Sequence, residues 1–443
     1  MRRIVVLLLS CLLLSATVLP GSAVAVGKEE RGPGSLRYDV RLTGDAAGRS
    51  WTGRESIEFA NTTGKPLGEV YLRLWGNAWD GCKQPVKVSN FSGGVAGLPT
   101  VNCTALRLEL AKVLAPGKRA TIAFDLTMTA PERLEQFGRS GGYSFFGNAL
   151  PVLAVRDHEG WHLEPDVGIG ESYYTLAADF AVRLQHSAAV QVPATGITSS
   201  EQRGQTVTTT SFAKQVRDFA FSAGPFQQST ATSPGGVKVR TWWTNSVTAA
   251  AVADARTTAL SAIDDFGRRF GAYPYGEIDL VLNDRWTSFS GMEYPGFVLL
   301  IAPPSGGPVA HELAHQWWYG IVGNNEYADP WLDEAFAVYA TDLQAGYAAA
   351  GCWPGTLPAS IGSNMGVWKS YGSSWGVYVY TYGSCLLHDL ERVLGAPAMA
   401  TMLRAYAKSR WYGVSTVPDF KAAAQSATKT DLTVFWKSHT LGA

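Results

Sequence analysis

A strand-rich front half followed by a mixed, mostly helical second half is the fold this sequence predicts, and two changes of pattern predict it. From Ser35 to about Phe226, hydrophobic residues alternate at period two between turn signals such as TGD, NTTGKP and APGK. Beyond residue 236 the apolar spacing lengthens to three and four, the period of helices that bury one face. The 443 residues are 46% hydrophobic, with 15 Trp and 18 each of Phe and Tyr, enough to bury large cores without staples. At roughly 100 to 200 residues per domain, two or three domains are expected.

The first 25 residues read as a secretory signal peptide. Two arginines precede an apolar run that is short for a membrane span, and small residues ending Ala23, Val24, Ala25 follow it. Cleavage near Ala25 leaves no membrane span and sends the chain out of the cell. Export leaves Cys82, Cys103, Cys352 and Cys385 in an oxidising compartment. Of the three possible connectivities, Cys82 with Cys103 and Cys352 with Cys385 is favoured, because each pair falls within one expected domain. The balance of 37 basic against 37 acidic residues provides no field for nucleic acid or acidic lipid.

The strand segments run SLRYDVRL, WTGRESIEF, GEVYLRLW, ALRLEL, RATIAFDLTM, YTLAADFAVRL and TVTTTSF, which makes residues 26–230 an all-β, saddle- or sandwich-like domain. QQSTATSPGG, 227 to 236, is polar and reads as a linker or loop at the boundary. In the second domain, 231–443, the Ala-rich stretch from Ser246 to Gly271 is a helix and GEIDLVL a strand. From VAHELAHQWWYG onward most segments are helical.

The pattern HExxH occurs twice, at His158–His162 and at His311–His315. Two histidines four apart reach one metal ion only from a helix, where they share a face about 6 Å from each other. HEGWH contains Gly160 and runs into LEPDVGIG, so it belongs in a loop or strand edge and matches by chance. HELAHQWWYG has no breaker before Gly320, and Glu334 follows His315 by 19 residues within the helical DPWLDEAFAVYA. His311, His315 and Glu334 make three ligands with a fourth position open, the pattern of a catalytic zinc site. One Zn²⁺ per chain is expected, with Glu312 beside it as general base.

HELAHQWW, WLDEAFA and the upstream SGMEYPG together resemble the aminopeptidase N family of gluzincin zinc metallopeptidases, as a short, secreted bacterial-type member. The resemblance extends over most of the mature chain. It implies a thermolysin-like α+β, mostly helical, catalytic domain after the β domain, and peptide substrates cut at their N-terminal residue. It further implies that Glu293 holds the substrate's α-ammonium group while the backbone of Gly291 and Met292 pairs with the peptide. The family's oxyanion donor is a tyrosine in Y-x-x-G, which here is Tyr380 with Gly383, flanked by Tyr378 and Tyr382 as other choices.

Three departures accompany the resemblance. Thr341, followed by Asp342, stands where relatives often carry a Glu near a zinc histidine. GGYSFFGNALP shows no counterpart of the family's second amine-binding residue. The chain ends at Ala443, so a more open cleft is expected. The other readings are a zinc endopeptidase on the same site and an inactive peptide-binding protein.

Overall fold

The computed structural model describes residues 31–79, 81–285, 289–303, 306–348 and 351–441; the signal-peptide segment 1–25 lies outside them. The period-two segments form two large sheets. The first has seven strands in the order Ile197–Arg203, Thr206–Val216, Ala178–Ser187, Gly34–Gly44, Ser50–Ala60, Arg119–Thr129 and Val86–Ser92. The second has four, in the order Val152–Leu153, Leu67–Arg73, Ala105–Leu114 and Gly94–Thr100. Alternation decides which side chains go inside. In Gly34–Gly44, Leu36, Tyr38, Val40 and Leu42 are buried while Arg37, Ser35 and Arg41 face out. Residues from both sheets meet in one core that includes Trp51, Ile57, Val70, Leu108 and Phe124. Each such aliphatic side chain contributes about 1.5–3 kcal/mol on burial.

A five-stranded sheet begins the second half, in the order Gln227–Thr232, Lys238–Trp243, Glu277–Asn283, Phe297–Ile301 and Gly291–Met292. Its three inner strands are parallel and its two edges antiparallel. Every residue of Glu277–Asn283 is buried, as a central parallel strand covered on both faces requires. The expected linker is a correction. Residues 227–232 form an edge strand, only 233–236 turn, and residue 230 falls inside that strand. Its Gln, Ser and Thr residues suit a half-exposed edge, where β-branched side chains fit the pleat and polarity discourages further pairing.

Helix α1 (Ala249–Phe270) crosses between two of the parallel strands, its first turn capped by the Thr248 hydroxyl and its buried stripe running Val252, Ala255, Ala259, Ile263, Phe266, Phe270. Helix α2 (Gly306–Ala314) and α3 (Trp331–Ala345) pack on it through Trp317, Trp318 and Phe336. The Trp318 ring lies 5.0 Å from Phe270 and 4.8 Å from Phe336. Then come α4 (Met365–Trp368), α5 (Gly383–Leu394), α6 (Ala396–Ser409), α7 (Val417–Ser426) and α8 (Thr433–Ser438). Both favoured disulfides are present, Cys82–Cys103 with Cα atoms 5.4 Å apart and Cys352–Cys385 with 5.6 Å. No helix among the described residues is long and apolar enough to cross a membrane.

Candidate active site

HEGWH is not helical. Residues 157–160 turn back on themselves, and His158 is exposed. His162 is buried between two carboxylates, its Nε2 2.8 Å from Asp157 and its Nδ1 2.8 Å from Glu164. Burial alone would depress the imidazole pKa; the Glu164 and Asp157 carboxylates outweigh it and raise the pKa to about 8. Because the folded value lies above the ordinary 6.5, the ion triad stabilises the fold fully below pH 6.5 and loses that effect as pH rises through about 8. His162→Asn should therefore destabilise more at pH 6 than at pH 9, by about 1–2 kcal/mol in urea unfolding. An equal loss at both pH values would show that the charge of His162 is not what matters.

HELAH is helical. His311 to Ala314 close α2, and the His315 N–H donates to the His311 carbonyl at 3.2 Å, which keeps both histidines on one face. Glu334 enters from the first turn of α3, where the helix N-terminus favours a carboxylate. His311 Nε2 and His315 Nε2 lie 3.1 Å apart, and Glu334 Oε2 lies 3.1 Å from the first and 3.2 Å from the second. Ligands about 2.0–2.1 Å from a tetrahedral zinc are separated by roughly 3.3 Å, so this triangle has the size of a zinc face. Two imidazole nitrogens this close share either a proton or a cation. The His315 Nδ1 faces the Trp318 carbonyl at 3.0 Å, which fixes the tautomer that presents Nε2 inward. Burial would raise the Glu334 pKa, yet His315 and His311 hold it well below the carboxylate range.

Glu312 is buried next to the triad, and burial raises its pKa. Gly291 is what makes room for it. A Cβ at Gly291 would lie 2.5 Å from the Glu312 carboxyl group, so the edge strand passes directly against the side chain expected to act as base. Met292 is buried in the same strand. Gln316, the residue after His315, donates from Nε2 to the carbonyls of Glu293 and Tyr294 at 3.1 and 3.2 Å and accepts from Gly296 N–H at 2.7 Å. The end of the HELAH helix thereby grips the SGMEYPG loop and sets Glu293 beside the triad.

Tyr380 is separated from its neighbours by where each ring goes. It lies in a widened, π-helical turn, Val377–Tyr382, and its hydroxyl donates to Glu334 Oε1 at 2.5 Å. Tyr378 stacks on Trp368 at 5.5 Å and Tyr382 meets Trp353 edge-on at 6.3 Å, so both rings are engaged by other aromatic side chains. Gly383 allows the approach, since a Cβ there would sit 2.5 Å from Ala335 on α3. Burial raises the Tyr380 pKa far above the ordinary value, so the group stays a hydrogen-bond donor.

The structure adds residues that the sequence reading missed. Glu171, in the loop after LEPDVGIG, places a carboxylate oxygen within 4.8 Å of Glu293 and Glu334. The loop is held by Tyr173, whose N–H donates to Glu326 at 3.0 Å and whose carbonyl accepts from Glu326 N–H at 3.2 Å. Within GGYSFFGNALP, Asn148 accepts from the Tyr294 hydroxyl at 2.8 Å and so supports the SGMEYPG loop. Thr341 bonds back to its own helix at Ala337, and Asp342 pairs with His388, so neither orients a zinc histidine. The charged neighbours of Glu171 and Glu293 among the described residues are carboxylates and His315, with no Lys or Arg. Burial, reinforced by neighbouring carboxylates, raises both pKa values, that of Glu293 to about 8. These groups line one cleft of about 410 Å³.

The fold is similar to that of solved two-domain M1 zinc metallopeptidases. The M1 zinc metallopeptidase from Deinococcus radiodurans superposes with a TM-score of 0.72 at 19% identity, covering 92% of this chain and 94% of that one. A two-domain M1 zinc metallopeptidase variant bound to L-arginine matches with a TM-score of 0.66 at 18% identity, covering 89% and 91%. At this identity the likeness is one of fold. In sequence the chain is similar to aminopeptidase N of Lactococcus lactis subsp. lactis, 26% identical over 197 residues, which are 39% of this chain and 22% of that protein. It is also 31% identical over 77 residues to human aminopeptidase B, covering 16% and 12%. The chain thus spans about a fifth or less of the curated relatives it matches. No model of a known protein family matches it.

Proposed function

We propose that the protein is a secreted zinc aminopeptidase that removes N-terminal residues from peptides. The observation that carries this reading is the pair of carboxylates, Glu293 and Glu171, set beside the metal residues with no Lys or Arg among the described residues paired to either. Buried like charges raise one another's pKa and are relieved by a cationic ligand, which a peptide's α-ammonium group provides at the place where its first peptide bond would meet the metal.

His311, His315 and Glu334 would hold the zinc, which when bound supplies a Lewis acid that lowers the pKa of a water toward 7 and polarises the scissile carbonyl. Glu312 takes the water's proton and passes it to the leaving amine. The Tyr380 hydroxyl turns from Glu334 to the carbonyl oxygen as that atom gains charge. The outer backbone edge of the end strand Gly291–Met292 pairs with the extended peptide backbone, and Glu293 with Glu171 sets which bond is presented. The site would thus serve a thermolysin-like catalytic half, with Glu171 contributed by the loop between the strands Val152–Leu153 and Ala178–Ser187 of the β-rich half. Export is supported by the signal-like residues 1–25 and by the two disulfides.

A matched pair of peptides, one with a free and one with an acetylated N-terminus, tests the reading by mass spectrometry. Wild type should release single N-terminal residues from the free peptide and leave the acetylated one intact. Glu293→Ala should lower kcat/KM for the free peptide by roughly 10- to 150-fold, the range for losing one charge-assisted hydrogen bond. Internal cleavage of both peptides at similar rates would replace this reading with that of an endopeptidase.

A further inference from the structure

The cleft continues past the metal residues. Because Gln316 holds the backbone of Glu293, the amine anchors sit at the carboxyl end of α2. The opposite end of that helix, Gly307 and Pro308, also lines the cleft, together with Val338, Thr341 and Asp342 from the continuation of α3. Spacings of 4, 7 and 8 from Glu334 put these three on the stripe of α3 that carries the metal ligand. One face of each helix therefore extends the cleft on the side away from Glu293 and Glu171. With the N-terminus held at those carboxylates and the scissile bond at the metal residues, the residue after that bond lies in this arm.

We propose that Asp342 selects a cationic side chain, Lys or Arg, in the second residue of the peptide. The inference rests on the aminopeptidase reading above and deepens it. Asp342 is the charged residue of the arm; Gly307, Pro308, Val338 and Thr341 are neutral. Eight helical residues place it about 12 Å from Glu334. An extended Lys or Arg reaches about 6 Å beyond its Cα, and one peptide unit spans about 3.5 Å more, so long basic side chains approach the carboxylate and short ones fall well short. The carboxylate is also held in place. Its Oδ2 lies 3.0 Å from Nε2 of the buried His388, whose ring packs on Tyr339 at 4.8 Å, and the Asp342 carbonyl accepts from the Tyr347 N–H at 2.8 Å. The Asp342 side chain keeps 23% of its surface open, enough for a ligand to meet it and enough for solvent to weaken the pair.

The test is a set of free-amine tripeptides, Ala-X-Ala with X as Arg, Lys, Leu or Glu, with kcat/KM read from the release of the first Ala by zinc-loaded protein. Wild type should favour Arg and Lys over Leu by about 5- to 10-fold, with Glu slowest. Asp342→Asn should bring the Arg-to-Leu ratio to within about twofold of one, and Asp342→Lys should place Glu ahead of Arg. These ratios are taken on one enzyme sample, so losses of folding or metal cancel, and the wild-type order alone decides if a variant fails to fold. Equal rates for Arg, Leu and Glu in wild type, or an unchanged ratio in Asp342→Asn, would overturn the inference. Release of Ala from none of the four would overturn the aminopeptidase reading and this inference with it.

Discussion

A Glu312→Gln protein that keeps its zinc is expected to turn over peptide about 10²- to 10⁴-fold more slowly than wild type. Gln has the shape of Glu, so it fits against Gly291 as the native side chain does, where a Cβ on the glycine would come within 2.5 Å of the carboxyl group. It cannot accept a proton from water at neutral pH. Its burial between the metal helix and the edge strand also keeps bulk water from substituting as base. The measurement is turnover and zinc content on the same preparation. Near-normal turnover in a zinc-replete variant would remove Glu312 from the reaction.

Zinc itself should be lost when one corner of the triangle is removed. His311→Ala and Glu334→Ala should each fall from one zinc per chain to almost none, whereas His158→Ala and His162→Ala should retain it. The contrast follows from geometry. The three donor atoms around His311 stand 3.1 to 3.2 Å from one another, a spacing that suits a single small cation. Around His162 both ring nitrogens are already engaged by carboxylates, and the segment is a turn in which His158 points to solvent. Zinc stoichiometry of the purified variants is the readout, and zinc loss from the His158 variant would show that the other motif binds the metal.

The strands and the principal helices were legible because their periods are local. Leu36, Tyr38, Val40 and Leu42 alternate with polar residues whatever lies across the sheet, and the Val252-to-Phe270 stripe repeats at helical spacing. Residues 227–232 were misread for a matching reason. A polar edge strand buries little, so its composition is that of a loop, and only pairing with Lys238–Trp243 makes it a strand. In the site, His311 and His315 could be placed from the chain alone, since four residues on a helix set their spacing. Tyr380 could be separated from Tyr378 and Tyr382 only once Trp368 and Trp353 had claimed the other two rings.

By itself, then, the amino-acid sequence determined the candidate donor set: His311 and His315 with Glu312 between them on one helix, and Glu334 on the next. The close approach of Gly291 to Glu312, the grip of Gln316 on the Glu293 loop, the arrival of Glu171 and the arm that ends at Asp342 were decided by tertiary structure. Helical spacing is enforced by backbone hydrogen bonds four residues apart. Glu171 and Glu334, by contrast, are 163 residues apart in the chain and meet only because the strand-rich half packs against the helices.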